Sequence, residues 1–308
     1  MLTLLCCCGI AASAWAQAPA PANTPVVEFE SALDTFFHES NGTLRLDTYV
    51  VAFLPQGPVK GEVAVMNSAR KVVARFPFLA EAKARQGVFG RVQVQGPAEV
   101  KLTEPGLYNL IFVVAGKPVT SLAFVLHAIP SADEFNPQTT YRFEGLWSRF
   151  AHLTMRTAGE QQIPQLNLWV GQADLGKGKT KDQFHAELLR DGKLVAHSKR
   201  YHGHITPGRY QRTQIILHHP HDDKQSATAK AFALTDWLVD GPYELRLTRQ
   251  SDEQVIRRFT FEVTQGKFKP HPRTDANVEP RFEHIVPRVA RKGTNIFEMT
   301  EAIWLESK

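Results

Sequence analysis

Apolar runs in this chain are short. Gly, Pro, Asn or Ser interrupts them again and again, and within many runs apolar and polar side chains alternate. Period-two alternation puts one set of side chains on each face of an extended strand, so it predicts half-buried β-strands. "TYVVAFLP", "GEVAVM", "KVVARFPF", "FGRVQVQG", "AEVKLTE", "LYNLIFVVAG" and "SLAFVLHAI" follow one another in this way. After "PSADEFNPQTT" the pattern restarts with "YRFEGLWSRFAHLTM", "QLNLWVG", "YQRTQIILHH", "PYELRLTRQ" and "QVIRRFTFEVTQG". Strands at this spacing predict antiparallel sheets closed as a sandwich or barrel. Asn41-Gly42 lies between "FFHES" and "TLRLD" and predicts a hairpin, because a type I′ turn needs positive φ at both central residues. Asn41-Gly42-Thr43 also fits a glycosylation sequon, but the turn is the preferred role.

One segment is ambiguous. "KDQFHAELLRDG" fits a short helix with Phe184, Leu188 and Leu189 on one face, and it fits a strand equally well. An internal repeat decides for the strand. Gly61–Phe76 matches Phe184–Lys199, each reading strand, polar turn, strand, with Asp191-Gly192 as the second turn. Further on, "LTEPGLYNLIF" matches "LVDGPYELRL"; in each, Gly and Pro precede a tyrosine, Tyr108 or Tyr243, that opens an alternating strand.

These features resemble the end of an immunoglobulin or fibronectin III-type domain. The resemblance implies that each tyrosine hydroxyl turns back onto the preceding loop. It covers both halves of the chain and looks like exported bacterial proteins with tandem Ig-like domains. The expected fold is therefore all-β: two tandem antiparallel Ig-like β-sandwiches at 26–129 and 140–265, a linker at 130–139, and an extended C-terminal segment at 266–308.

Leu2 to Ala12 is apolar and Ala14-Trp15-Ala16 is an A-x-A signal, followed by "QAPAPANTP". This predicts a secretory signal peptide at 1–16 and a Pro/Ala linker at 17–25. No Lys or Arg precedes the apolar run, which leaves a displaced start open. "LLCCCG" fits a lipidation signal poorly, so cleavage after Ala16 is expected. All three cysteines, Cys6 to Cys8, then leave with the peptide. The mature chain would have no disulfide, no Cys-ligated zinc and no thiol nucleophile. No later segment has the length and apolarity of a membrane helix. The expected location is periplasmic or extracellular.

The net charge is +5 with pI about 9.1, and acidic residues are interspersed throughout. Such a balance does not mark a nucleic-acid binder. The segment "KFKPHPRTDANVEPRFEHIVPRVARKG" repeats Pro and charge and should run extended. In "NIFEMTEAIWLESK", Ile296, Met299, Ile303 and Trp304 fit a helical face, while "EAIWLE" fits an edge strand. Phe297, Ile303, Trp304 and Leu305 call for burial, so docking on a domain is expected.

"YHGHITPGRYQRTQIILHHPHDD" holds five of the twelve histidines. In a strand, His202 and His204 share one face, and His218, His219 and His221 with Asp222 and Asp223 supply further donors. Imidazole with carboxylate suits zinc, copper or nickel. The candidate metal ligands are His202, His204, His219 and His221; solvated, unoccupied imidazoles are the alternative. The interval from Gly208 to Tyr243 exceeds that from Gly87 to Tyr108 by 14 residues, and "HHPHDDKQSATAK" is their natural home. Insertions on a scaffold are where binding tends to be placed.

"GQADLGKGKTK" fails the ATP-loop pattern at Gly178 and, counted back from Thr180, at Ala173. No G-x-S-x-G elbow is present, and nothing singles out a triad. Paired glycosidase carboxylates leave no sequence signature. Trp147, Trp169, Trp237 and Trp304 are candidates for sugar stacking, with Trp169 and Trp237 better placed as core. The expected function is a non-catalytic module contacting a protein or cell-envelope component. The alternatives are a ligand binder for a divalent metal or a glycan, and then a hydrolase with an unidentified site.

Overall fold

The structure, a computed structural model, describes residues 42–45, 57–82, 89–96, 99–130, 139–145, 148–176, 181–198, 203–206, 211–220, 229–271 and 303–307. It also describes residues 135 and 179 and the strand segments 28–29, 36–38, 51–53, 289–292 and 296–299. The expected signal peptide and linker, Gly87, Trp147, His202, Gly208, His221, Asp222 and Asp223 lie outside the described residues.

The described chain is all-β apart from one helical turn, α1 (Leu234–Trp237), and a 3-10 turn at Gln172–Asp174. Every strand pairing is antiparallel. The first sheet runs in the order β1 (Glu28–Phe29), β4 (Val51–Phe53), β7 (Phe89–Val94), β6 (Val72–Ala82), β5 (Val59–Asn67), β9 (Gly106–Val114), β10 (Lys117–Pro130), β11 (Thr139–Gly145). A small sheet joins β2 (Phe36–His38), β3 (Thr43–Arg45) and β8 (Glu99–Lys101). A middle sheet runs β17 (Gln211–Ile216), β13 (Gln161–Val170), β12 (Phe150–Ala158), β23 (Ile303–Glu306). The third sheet runs β15 (Lys193–His197), β14 (Asp182–Arg190), β18 (Gly241–Arg249), β19 (Val255–Thr264), β20 (Lys267–Phe268), with β16 (Gly203–Ile205) also on β14. β21 (Val289–Lys292) and β22 (Ile296–Met299) form a separate hairpin.

Alternation decides what each strand buries. On β9, Tyr108, Leu110, Phe112 and Val114 are buried, and the residues between them are not. Their partners Leu122, Phe124 and Leu126 do the same on β10, and together with Val63, Val65, Phe76 and Phe78 they form the first core. Leu44 of β3, with Leu102 just past β8, closes that core from the small sheet. The second core lies between the middle and third sheets: Leu153, Leu166, Leu168 and Ile215 from one meet Phe184, Leu188, Leu245 and Phe259 from the other.

The middle sheet is buried on both faces at one end. Leu168 and Val170 enter the second core while Trp169, between them, enters the first. Phe150 belongs to the first core, and Ala151 and Leu153 to the second. This two-sided burial explains the near-continuous apolar run "LNLWV", which a half-exposed strand would not need.

"KDQFHAELLRDG" is a strand, and the repeat is visible in register. Asn67 faces Tyr108, and Arg190 faces Tyr243. The β5–β6 ladder slips at Val65/Met66, and β14–β15 slips at the matching Leu188/Leu189. Each tyrosine follows a glycine by two residues, Gly106 at φ 145° and Gly241 at φ 142°, a region that favours glycine. Tyr108 Oη donates to the Glu104 carbonyl at 2.7 Å, and Tyr243 Oη to the Val239 carbonyl at 2.8 Å. Each ring stacks on the facing strand's phenylalanine, Phe124 or Phe261. Burial, with Glu104 nearby, pushes the Tyr108 hydroxyl above its ordinary pKa. Burial does the same for Tyr243, against the lowering effect of Arg190.

β11, residues 139–145, pairs with β10 and extends the first sheet. The reason is Phe143: it is fully buried in the first core, tilted against Phe124. In the tail, 296–299 and 303–306 are strands, which settles the helix-or-strand ambiguity. In β23, Leu305 faces the second core and Trp304 the first, so alternating residues need opposite faces, which only a strand provides. β2 and β3 pair antiparallel with His38 facing Thr43, and Gly42 stands at φ 72°; Asn41 lies outside the described residues.

Candidate functional site

The histidine-rich segment sits at a seam between sheets. β17 pairs with β13 in the middle sheet, then Leu217 drops into the second core. The next residue, His218, joins the third sheet: it exchanges two backbone hydrogen bonds with His197, both 2.9 Å. On its other side His218 bridges to Ala231, His219 N–H donates to the Lys230 carbonyl at 3.0 Å, and Phe232 N–H to the Leu217 carbonyl at 2.9 Å. His218 and His219 are thus paired with Lys230 and Ala231, and residues 221–228 between them lie outside the described residues.

His219 is oriented by α1. Its Nε2 lies 3.1 Å from Asp236 Oδ2, which also accepts the Ala233 N–H at 2.9 Å. A carboxylate only accepts, so Nε2 is the donor in this contact. The imidazole stands edge-on to Phe232 at 5.0 Å, and Phe232 packs edge-on against the buried Trp237. His204 lies elsewhere, exposed on β16, where its Nδ1 is 3.3 Å from Gln183 Nε2. Thus the two described members of the expected metal set each have their own partner. Among the described residues, no group of three or more His, Cys, Asp or Glu is arranged to hold a metal ion.

Sequence reasoning passed over a second row of imidazoles. Glu187 faces His197 across β14–β15, and His197 faces His218, so the three share one sheet face. His185, two residues from Glu187, reaches its carboxylate at 3.5 Å. Alternation along "FHAELL" was the available signal, since it opposes His185 and Glu187 to the core residues Phe184, Ala186 and Leu188.

A buried charge cluster caps one end of the second core, and nothing in the sequence pointed to it. Arg257 grips Asp174 through two contacts, 2.8 and 3.3 Å, with both side chains less than a tenth exposed. Asp174 Oδ2 also takes the Gly171 N–H at 2.9 Å, and Arg249 donates to the Asp174 carbonyl at 3.0 Å. Arg249 further binds Asp252 at 2.6 and 2.9 Å, and Asp182 accepts from Ser251 at 2.6 Å. The hydrogen bond to Asp252, against the cost of burial, holds the Arg249 pKa above its ordinary value. Asp174, in the lysine-rich segment "GQADLGKGKTK", is thus held by Arg257 and the Gly171 N–H. Trp169 and Trp237 are buried core residues, and their faces are not open to a sugar ring.

Comparison with known proteins gives no matching family model, no matching curated protein and no matching solved structure. No helix among the described residues is long and apolar enough to cross a membrane.

Proposed function

We propose that this chain is an exported, non-catalytic protein of two immunoglobulin-like β-sandwich units that meets a protein or cell-envelope partner through the loop at 220–229. The observation that carries this reading is the paired base of that loop. His218, His219, Lys230 and Ala231 hold its two flanks together through backbone hydrogen bonds. Segments added between paired flanks of a scaffold are where binding tends to be placed. The immunoglobulin-like assignment draws support from the two tyrosine corners, each with its hydroxyl on the carbonyl four residues back. Export rests on the apolar leader and its A-x-A signal.

The test is site-specific photo-crosslinking in the exporting cell. A photoreactive residue at Lys224 should give a discrete adduct, and one in the turn at Glu253 should not. Equal adducts at both positions, or none at either, would defeat the proposal.

One observation favours a divalent-metal reading as the second choice. Asp236 fixes the His219 ring, as a carboxylate does for a metal-bound imidazole. Zinc, copper and nickel titrated calorimetrically into tag-free protein should then bind more tightly than to a His219→Ala, His221→Ala chain. Matching isotherms would end that reading.

A further inference from the structure

β23 reaches the middle sheet from far along the chain. Residues 272 to 302, 31 in number, separate it from His271, and within them the structure describes only the β21–β22 strands. It pairs with β12 in a four-residue ladder, Phe150↔Glu306 to Leu153↔Ile303. Its side chains divide between the two cores. Leu305, fully buried, and Ile303 enter the second; Trp304 enters the first and stands edge-on to Phe150 at 5.3 Å. Just beyond, Ser307 N–H donates to the Arg149 carbonyl at 2.7 Å, and Ser307 bridges to Phe259 of the third sheet. The Glu306 carboxylate binds Arg149 on one oxygen and His271 on the other, the latter at 3.0 Å.

These are the elements of strand-addition recognition: a main-chain ladder, alternating side-chain pockets, and a charge clamp at the end. Five consecutive residues supply them all. The connecting segment begins beside the strand it leads to, because His271 itself touches Glu306. Covalent linkage of a binding segment to its site makes the binding intramolecular and raises its local concentration to about the millimolar range.

We propose that the free edge of β12, with the seam between the two cores, is a strand-recognition site in its own right, and that the chain's own Ile303–Ser307 fills it in cis as a dissociable clasp. The ligand class is an extended peptide reading aliphatic, aromatic, aliphatic, acid. The clasp seats neighbouring side chains in both described cores, as β12 and β13 do, but its described pairing rests on only four residues. Its release exposes a ladder edge and two apolar pockets together.

The test uses the whole folded chain with a specific protease site placed between Ala276 and Asn277, cut after folding. The C-terminal fragment should stay with the body through gel filtration at micromolar concentration. An excess of labelled peptide of residues 301–308 should replace it, and the same peptide carrying Leu305→Asp should not. Loss of the fragment as soon as the tether is cut would show that the tether alone holds it. A fragment that exchanges only when the body unfolds would show an integral strand. Displacement by the Leu305→Asp peptide would show that the pockets recognise nothing. Any of these three results overturns the proposal.

Discussion

Replacing Arg257 with Met should destabilise the chain sharply, while replacing Arg257 and Asp174 together should not. Arg257→Met keeps the side-chain length and removes both contacts to Asp174, 2.8 and 3.3 Å long. Asp174 would then keep the Gly171 N–H but lose its countercharge, at less than a tenth exposure. An orphaned buried charge costs about 3–5 kcal/mol, whereas exchanging the whole pair for apolar groups is close to neutral or stabilising. Arg257→Met should therefore lower stability by about 3–5 kcal/mol, and Asp174→Leu by a similar amount. The double variant should lie within about 1 kcal/mol of the parent. Urea unfolding followed by tryptophan fluorescence reads the effect, because Trp237 lies in the second core. Strict additivity of the two losses, or a single-variant loss below about 1 kcal/mol, would show the cap to be solvated and the account wrong.

Tyr108→Phe and Tyr243→Phe should each cost about 0.5–1.5 kcal/mol, the net worth of one hydrogen bond, and the two losses should match because the corners match. Both hydroxyls have pKa values raised by burial, so the folded state favours their neutral forms. Their contribution is complete below the ordinary tyrosine value near 10 and fades as pH rises through the raised folded values. Alkaline melts of the double Phe variant should accordingly show a flatter pH slope above about pH 10 than the parent. Burial pushes the Glu306 carboxyl up, but His271 and Arg149 together outweigh it and hold its pKa below the ordinary range. The docked state is therefore favoured above the ordinary Glu value near 4.3 and weakens as pH falls through the lowered one. Acid titration followed by Trp304 fluorescence should show undocking in the parent, and Glu306→Gln should undock at all pH values to a degree the parent reaches only in acid. Gly203→Ala should cost about 1–3 kcal/mol in thermal melts, because its Cβ would fall on the Phe184 ring.

Much of the fold was legible in the sequence because strands and tight turns are local. Alternation in "LYNLIFVV" and "PYELRL" marked which side chains go inward, and the repeat fixed "KDQFHAELLRDG" as a strand against its helical pattern. Glycine two residues before each tyrosine carries the positive φ that sets the corner. The metal set was less legible: "HHPHDD" shows how many imidazoles are near one another in the chain, but not that His218 spends its backbone on a sheet seam.

By itself, then, the sequence determined the strands, the turns, the repeat and the two tyrosine corners, since each depends on residues within a few positions of one another. Only tertiary structure decided that 139–145 extends the first sheet, that Trp169 crosses into the first core, and that Asp174 meets Arg257, 83 residues away. It also decided that the last strand seals the seam between the cores. Pairings of this kind follow from which apolar faces remain uncovered after the local elements form, and that is a property of the assembled surfaces.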